Sequence, residues 1–359
     1  MTIDERNTFF SRLGLAKDSK EYHTYYHQHP HLQALDDAFR EGDFKHALKL
    51  PEPAKQSVLN WIDEETTWLI QKHHALVAMP VENTQQPVQN DEVEALLRHL
   101  GAVDVMVVPL ETEDYYTHHG TVKDVLGVSL NNQPITPKYP YAILFATQLE
   151  EKPITQAPFV ESLIENMTQY SRVAHLAFEL TSYLKSKGYD ALAQHREYYE
   201  IPLVPLAHKH HFGTIGMANH IIHPKVGNRL RLNAVLTNAP LSPQTRPFFD
   251  VKRFCKRCAL CLMNCPTQAI KPHPRQGSVM HQFDEHRCFI MFQKGGTDCS
   301  LCLTSCPFSF ALTDTILTTL KTNADIDAWL KAYIAHHGPK RRPSHPSQFL
   351  EAYRHGNDL

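Results

Sequence analysis

Apolar residues recur every three or four positions through residues 1–80, a spacing that is typical of helices packed on a core. Pro51 and Pro53 interrupt this spacing, so the pattern predicts several helices instead of one. No residue in this helical N-terminal region stands out as a candidate for chemistry. Residues 81–91 are polar and contain proline, which predicts a linker.

The hydrophobic pattern changes in residues 92–248, where short apolar runs alternate with helical stretches. The runs VDVMVVPL and YPYAILFATQL predict buried strands, and the amphipathic stretch before Gly188 predicts one long helix. This alternation predicts an α+β fold for the region. Residues 249–312 contain all of the cysteines, and residues 313–359 predict a helical C-terminal tail.

Length and charge narrow the class of protein without indicating a partner. A chain of 359 residues is long enough for two domains, or for one large domain with an added module. Its formal net charge of −2 gives no overall attraction to nucleic acid or to an anionic membrane. The N-terminus lacks the pattern of an export signal, and the longest apolar runs are too short to cross a membrane, so we expect a cytoplasmic location.

The eight cysteines form two runs, CKRCALCLMNCP and CSLCLTSCP, with Cys288 between them. The first run has the spacing of bacterial ferredoxins, in which the fourth cysteine binds the other of two [4Fe-4S] clusters. The cysteines therefore predict two clusters with four thiolate ligands each and no thiol left over. The ligands of cluster one would be Cys255, Cys258, Cys261 and Cys306. The ligands of cluster two would be Cys265, Cys288, Cys299 and Cys302.

The second run departs from the plain ferredoxin pattern. Ten residues, FIMFQKGGTD, separate Cys288 from Cys299, and we predict that they form a loop turned by Gly295 and Gly296. Structural zinc and disulfides are the alternatives for the cysteines. Zinc normally takes separate sets of four ligands and gives no role to the proline that ends each run. Disulfides are disfavoured in a chain without an export signal.

Several segments together resemble the corrinoid-dependent reductive dehalogenases and their relative, epoxyqueuosine reductase. The resemblance spans residues 92–310 and rests on VEALLRHLGAVDVMVVPL, YPYAILFA, KSKGYDA, FGTIGMANHIIHPKVGNRLRLNAVLTNAPL, FCKRCALCLMNCPTQAI and RCFIMFQKGGTDCSLCLTSCPFS. The widely spaced second cysteine run and its GTDC sequence are more similar to the dehalogenase branch.

The resemblance implies a nitroreductase-like domain that binds a corrinoid, cobalamin, followed by a ferredoxin-like domain whose two [4Fe-4S] clusters deliver electrons to cobalt. Gly213, Gly216 and Gly227 are the candidate cofactor-binding positions, because glycine lets the backbone approach a flat or charged group. Tight turns alone would explain these glycines equally well. His211 and Phe212 stand where the family begins a Gly-Leu-Gly stretch.

The family uses a tyrosine as proton donor with a cation near it. By position before KSKGY, the resemblance assigns the tyrosine to Tyr170, and it assigns the cation to Arg229 or Arg231. Reductive removal of a halide leaves a carbanion-like centre that needs a proton, and a fixed cation makes a phenol a stronger acid. Tyr170 could equally be a core residue on a helix face, and Arg229 a surface cation. The reserve candidates are Tyr198 and Tyr199, near Arg196.

The expected function is that of a cytoplasmic oxidoreductase, in which two clusters pass single electrons to a corrinoid that reduces a small organic substrate. The expected electron donor is a ferredoxin, a flavodoxin or a similar protein, and no membrane partner is expected. Two alternatives stay open: tRNA modification of the epoxyqueuosine-reductase kind, and a corrinoid-free protein that only transfers electrons. A tRNA partner is disfavoured, though not excluded, because the sequence shows no basic stripe.

Overall fold

The computed structural model describes residues 3–41, 48–120, 130–272, 281–310 and 313–339. The mixed content of helices and strands that the sequence predicts is confirmed. The strands are β1 (Asp104–Pro109), β2 (Tyr141–Gln148), β3 (Ala191–Ala193), β4 (Thr214–Ile215), β5 (Ile221–Ile222), β6 (Leu230–Thr237), β7 (Ile270–Pro272) and β8 (His281–Phe283).

The helices of the described residues are α1 (Phe9–Leu13), α2 (Lys20–Gln28), α3 (Pro30–Glu41), α4 (Glu52–Ala78), α5 (Asn90–His99), α6 (Glu151–Ile154), α7 (Val160–Ser186), α8 (Leu203–Lys209), α9 (Lys252–Cys258), α10 (Leu260–Asn264), α11 (Glu285–Gly295), α12 (Leu301–Thr304), α13 (Thr313–Thr319) and α14 (Asn323–His337). Short 3₁₀ helices lie at Glu5–Asn7, Thr112–Asp114 and Pro307–Ser309.

An antiparallel sheet of four strands, in the order β1-β2-β6-β3, forms the centre of the fold. The side chains of β2 alternate between two cores: Ile143 and Phe145 face one, Ala142 and Leu144 face the other, and all four are fully buried. Because both faces of β2 are covered, its sequence is a continuous apolar run instead of an alternating one.

The long helix α7 covers one face of the sheet, and α4 packs beside it. Phe178 of α7 and Leu69 of α4 are fully buried in the same core. Where α4 ends, Lys185 Nζ donates hydrogen bonds to the carbonyl oxygens of Leu76, at 2.7 Å, and Met79, at 3.0 Å. A cation at this position also interacts favourably with the helix dipole. These contacts fix the longest helix of the N-terminal region to the layer that carries α7.

The first three helices pack against α11 of the cysteine region. Asp36 is fully buried and accepts hydrogen bonds from Arg12 Nε at 2.8 Å and His286 Nε2 at 2.9 Å. The rings of Phe9 and Phe289 meet edge to face with their centroids 5.0 Å apart. The N-terminal region therefore packs against the helix that carries Cys288 and leads towards Cys299.

The segment between Cys288 and Cys299 is largely helical, so the prediction of a loop is wrong. The helix α11 begins after Asp284, whose side chain caps the first turn, and it continues to Gly295. The chain leaves the helix at Gly296 with a φ of +68°, a conformation that suits glycine. The turn at Gly296 is the part of the predicted loop that agrees with the structure.

The predicted C-terminal tail is helical as far as the structure describes it, and it packs on the cysteine region. Helices α13 and α14 place Ile316 and Leu330 in the core that also holds Phe254 and Phe308. Among the described residues, no helix combines the length and apolar character that a membrane crossing requires.

Candidate functional site

Two cavities are each lined by four of the eight cysteines. The small cavity is lined by Cys255, Cys258, Cys261 and Cys306. The large cavity, of about 1230 Å³, is lined by Cys265, Cys288, Cys299 and Cys302. These two groups are the ligand sets of the crossed assignment made from the sequence. All eight cysteines are free thiols, so none of them forms a disulfide.

A left-handed residue follows one cysteine in each run and turns the chain between two helices. Ala259, between Cys258 and the helix α10, has a φ of +48°. Ser300, between Cys299 and the helix α12, has a φ of +49°. Such backbone angles are uncommon for residues with a Cβ, and their recurrence marks a repeated turn. The turn lets the cysteines on either side of it face one cavity.

Burial makes several of the cysteines poor acids while no metal is bound to them. Desolvation raises the pKa of Cys255 and of Cys288 to about 12, and that of Cys299 to about 11. Iron–sulfur clusters bind thiolates, and a metal deprotonates a thiol that coordinates it. Four thiols that line one cavity therefore form a donor set that suits a positively charged metal centre.

The wall of the large cavity also carries Tyr170 of α7 and Arg231 of β6. The guanidinium carbon of Arg231 lies 3.7 Å from the centroid of the Tyr170 ring, a close cation–π contact. Arg231 Nη2 donates a hydrogen bond to Asn166 Oδ1 at 3.0 Å. Tyr170 and Asn166 are one helical turn apart on α7, so both can meet the same arginine.

Asn166 continues this network towards the cysteines of the large cavity. Its Nδ2 donates to the Asp298 carboxylate and to Ser300 Oγ, the latter at 3.1 Å. Asp298 and Ser300 flank Cys299 in the sequence. Burial raises the pKa of Asp298, while the hydrogen bond from Asn166 and the charge of Arg231 oppose that rise. Polar contacts thus connect the loop of one cysteine with the arginine that covers Tyr170.

No family model matches this chain. The tetrachloroethene reductive dehalogenase of Sulfurospirillum multivorans is 25% identical over 214 residues, which are 56% of this chain and 38% of that protein. The tetrachloroethene reductive dehalogenase of Desulfitobacterium hafniense is 27% identical over 189 residues, which are 46% of this chain and 32% of that protein.

The fold is similar to that of the catabolic reductive dehalogenase NpRdhA. The alignment has a TM-score of 0.70 and 17% identity, and it covers 96% of this chain and 47% of NpRdhA. The chain is thus similar in sequence to reductive dehalogenases and similar in fold to one of them. It spans less than half the length of each of these relatives.

The family resemblance recognised in the sequence is therefore confirmed, and the homology supports an oxidoreductase. The nitroreductase-like and ferredoxin-like domains, with their boundaries, stay predictions.

Of the two candidate cations, Arg231 lies in the wall of the large cavity and Arg229 does not. Arg229 donates hydrogen bonds to the main-chain oxygens of Ser309 and Leu149 and lies 3.6 Å from the carboxylate of Glu151. These contacts tie β6 to the cysteine region. Arg229 thus makes the contacts of a structural residue, and Arg231 is the candidate that lies beside Tyr170.

The reserve candidates are also separated. Tyr199 lines the large cavity, and burial raises its pKa, with the nearby Tyr170 adding to the rise and Arg231 opposing it. Tyr198 is not part of that wall, and its hydroxyl donates to Glu200 Oε1 at 2.7 Å. Arg196 lines the cavity, but its Nη2 donates to Thr66 Oγ1 at 2.8 Å and holds α4 in place.

The three candidate cofactor-binding glycines, Gly213, Gly216 and Gly227, lie outside the wall of the large cavity. A Cβ on Gly213 would lie 2.6 Å from Ile221 Cγ1, and a Cβ on Gly227 would overlap the carbonyl group of Phe308. The protein itself fills the space beside both glycines, and neither lines a cysteine cavity. Gly216 lines the small cavity, beside the cluster-one cysteines instead of the large cavity.

His211 and Phe212, which stand in place of small family residues, leave the large cavity open. Phe212 is fully buried in the core that also holds Ala142 and Leu144. Its ring packs on the ring of His223, with the centroids 5.1 Å apart. A ring nitrogen of His211 lies 2.7 Å from the carbonyl oxygen of Arg246. Neither side chain is part of the wall of the large cavity.

Sequence reasoning missed His220, Asn166 and Asp298. His220 lines both cavities, its Nε2 lies 3.9 Å from Cys302 Sγ, and burial lowers its pKa to about 4. The sequence does not show which strand faces the helix of Asn166, so it could not predict the hydrogen bond between Asn166 and Arg231. Asp298 carried the one available signal, because it is the acidic residue of GTDC directly before a cluster ligand.

Proposed function

We propose that this chain is an iron–sulfur oxidoreductase of the reductive-dehalogenase kind. In this proposal, two [4Fe-4S] clusters pass single electrons to a corrinoid in the large cavity, and a small organic halide is reduced there. The observation that carries the proposal is the composition of one wall. Four cysteines, Tyr170 and Arg231 border the same continuous space.

The donor sets fit the cofactors. Each cubane cluster takes four thiolates, and each cavity offers four cysteines. The large cavity, at about 1230 Å³, is bigger than the ~300–1,000 Å³ of ordinary small-molecule pockets, which leaves room for a macrocycle beside a substrate. Apolar side chains that would contact the macrocycle are Ile62, Met167 and Leu203. A bound corrinoid supplies the low-potential reduction of the carbon–halogen bond.

Tyr170 serves as the proton donor in this scheme. Reduction of an organic halide by two electrons breaks the carbon–halogen bond, releases halide and leaves a carbanion-like centre that takes one proton. The phenol of Tyr170 gives that proton and regains one from solvent. Arg231, 3.7 Å from the ring centroid, stabilises the negative charge that the ring carries in between.

The two clusters would act in a fixed order. Cluster two would be held by the cysteines of the cavity that Tyr170 borders, so it would lie next to the corrinoid. Cluster one would be held in the small cavity, and because His220 lines both cavities, the two clusters would be close neighbours. Cluster one would therefore take electrons from a ferredoxin, flavodoxin or similar donor, and cluster two would supply them to the corrinoid.

Replacement of each candidate tyrosine by phenylalanine tests this function. Tyr170→Phe removes the proposed proton donor, and we expect turnover of an organic halide to fall by about 10²–10⁴-fold with full iron content. Tyr198→Phe, whose hydroxyl binds Glu200 away from the cavity, is the matched control and should keep turnover. Unchanged turnover in Tyr170→Phe, with a loss in Tyr199→Phe, would transfer the role to Tyr199.

A further inference from the structure

Helix α9 presents opposite chemistry on its two faces. The helix has the sequence KRFCKRC. At about 3.6 residues per turn, Phe254, Cys255 and Cys258 lie on one side of it. These three side chains are buried, and the two cysteines line the small cavity. The opposite side is basic and faces solvent, and it consists of Lys252, Arg253, Lys256 and Arg257.

Two of these cations are engaged with neighbouring helices. Arg253 donates hydrogen bonds to the carbonyl oxygens of Leu320 and Lys321, and its charge acts on the carboxylate of Asp325. Arg257 forms an exposed ion pair with Asp327 of α14. Within the described part of the chain, the ammonium groups of Lys252 and Lys256 make no ion pair. Further charges near this face are Asp250, Asp325 and Lys321, so cations remain in excess.

An exposed apolar residue lies on the next helix. Met263 of α10 is 53% exposed, and its amide donates to the carbonyl oxygen of Ala259, directly after α9. The helix α10 also carries Cys261 of cluster one, and Cys265 of cluster two follows it. Methionine beside a charged surface is typical of protein interfaces, where charges steer the encounter and apolar atoms make the contact.

We propose that the outer face of α9, with Met263, is the docking surface of a small acidic electron-donor protein. This inference rests on the proposed function, because it requires cluster one in the small cavity. The chain has a net charge of −2, so the attraction for an acidic partner has to be local, and α9 supplies it. In the complex, the donor loses one electron and cluster one gains one, and no bond forms or breaks.

Reduction of the clusters by a reduced acidic ferredoxin, followed by stopped-flow absorbance, tests the docking surface. Lys256→Glu should lower the second-order rate constant by about tenfold or more at low ionic strength, and added salt should shrink this difference. Lys256→Arg, which keeps the charge, should retain the rate. Lys20→Glu, at an exposed position of α2, changes the net charge equally and should also retain it.

Two controls separate this inference from its alternatives. Photoreduced deazaflavin, a small reductant that needs no docking surface, should reduce the clusters of every variant at the same rate. Equal rates for Lys256→Glu and Lys20→Glu with ferredoxin would overturn the inference. The inference would also be overturned if Lys256→Glu lost tRNA binding but kept its rate of cluster reduction by ferredoxin. Failure of the proposed function itself would be recognised separately: no reducible cluster absorbance would mean that the clusters are missing, and full cluster absorbance without cobalt would mean that the corrinoid is missing.

Discussion

The guanidinium group of Arg231 covers the ring of Tyr170 at 3.7 Å. The contact exists because α7 crosses the face of the central sheet where β6 begins, which brings a helix residue against a strand residue. Asn166 holds the same arginine from one turn nearer the start of α7. A phenol, a cation and four cysteines therefore share one cavity wall.

Replacement of Arg231 should lower turnover, and replacement of Arg229 should lower stability. Arg231→Lys keeps the charge but loses the planar contact with Tyr170, which is worth about 0.5–2 kcal/mol and corresponds to roughly a 2- to 30-fold lower rate. Arg229→Lys leaves carbonyl oxygens in need of donors, so the free energy of unfolding should fall by about 1–3 kcal/mol with turnover retained. Kinetics and thermal unfolding of both variants measure this. Lower turnover in Arg229→Lys together with lower stability in Arg231→Lys would mean that the two arginines have the opposite roles.

Asn166 should matter through the arginine that it holds. Asn166→Ala removes the acceptor for Arg231 and one donor to Asp298, and we expect turnover to fall by about 5- to 10-fold. Ser162→Ala is the control, because Ser162 Oγ lies 3.5 Å from Asp298 and makes no contact with Arg231. Equal losses of turnover in the two variants would show that Asp298, and not the position of Arg231, is what Asn166 serves.

Gly227 should be required for cluster one without touching it. Alanine at this position would overlap the carbonyl group of Phe308, which follows the cluster-one ligand Cys306 by two residues. Gly227→Ala should therefore lower the iron content and the unfolding temperature. Gly101→Ala is the matched control, since Gly101 also has a positive φ but no atom lies near its missing Cβ. It should cost only about 1–3 kcal/mol of backbone strain. Full iron content in Gly227→Ala would refute this explanation.

The buried ion pair between Arg12 and Asp36 should hold the N-terminal helices against α11. Both side chains are almost fully buried, so Arg12→Met leaves a charge without its main partner and should lower the free energy of unfolding by about 3–5 kcal/mol. Lys17→Met breaks the exposed pair with Glu41 and should leave the free energy of unfolding nearly unchanged, because solvent screens that pair. Denaturant unfolding of the two variants measures the difference, and equal losses would contradict the assignment.

Acid should weaken the same contact. Burial favours the protonated form of Asp36, but hydrogen bonds from Arg12, His286 and Tyr26 outweigh it and lower its pKa. The carboxylate therefore stabilises the fold above its unfolded pKa of about 3.9, and this contribution is lost as the pH falls through the lower native value. The stability difference between the native protein and Arg12→Met should shrink below about pH 4. A constant difference down to lower pH would indicate that packing, and not charge, holds Arg12.

The sequence predicted the two cysteine sets and the buried strands. It did not predict which helix and strand residues meet at the site. The spacing of the cysteine runs anticipated that Cys306 would join Cys255 in one cavity wall and that Cys265 would join Cys288 in the other, because cluster chemistry constrains ligands far apart in the sequence. The helix α11 was missed because the adjacent glycines outweighed its helical periodicity. Asn166 and His220 gave no signal, since their roles depend on which elements face each other.

The iron and cobalt content of protein purified without oxygen, from cells supplied with cobalamin, tests the central claim most directly. The account predicts about eight iron atoms per chain, from two four-iron clusters, together with about one cobalt. The same iron with no cobalt would contradict the corrinoid enzyme. It would leave a two-cluster protein that transfers electrons, in which the pair of Tyr170 and Arg231 has no catalytic role.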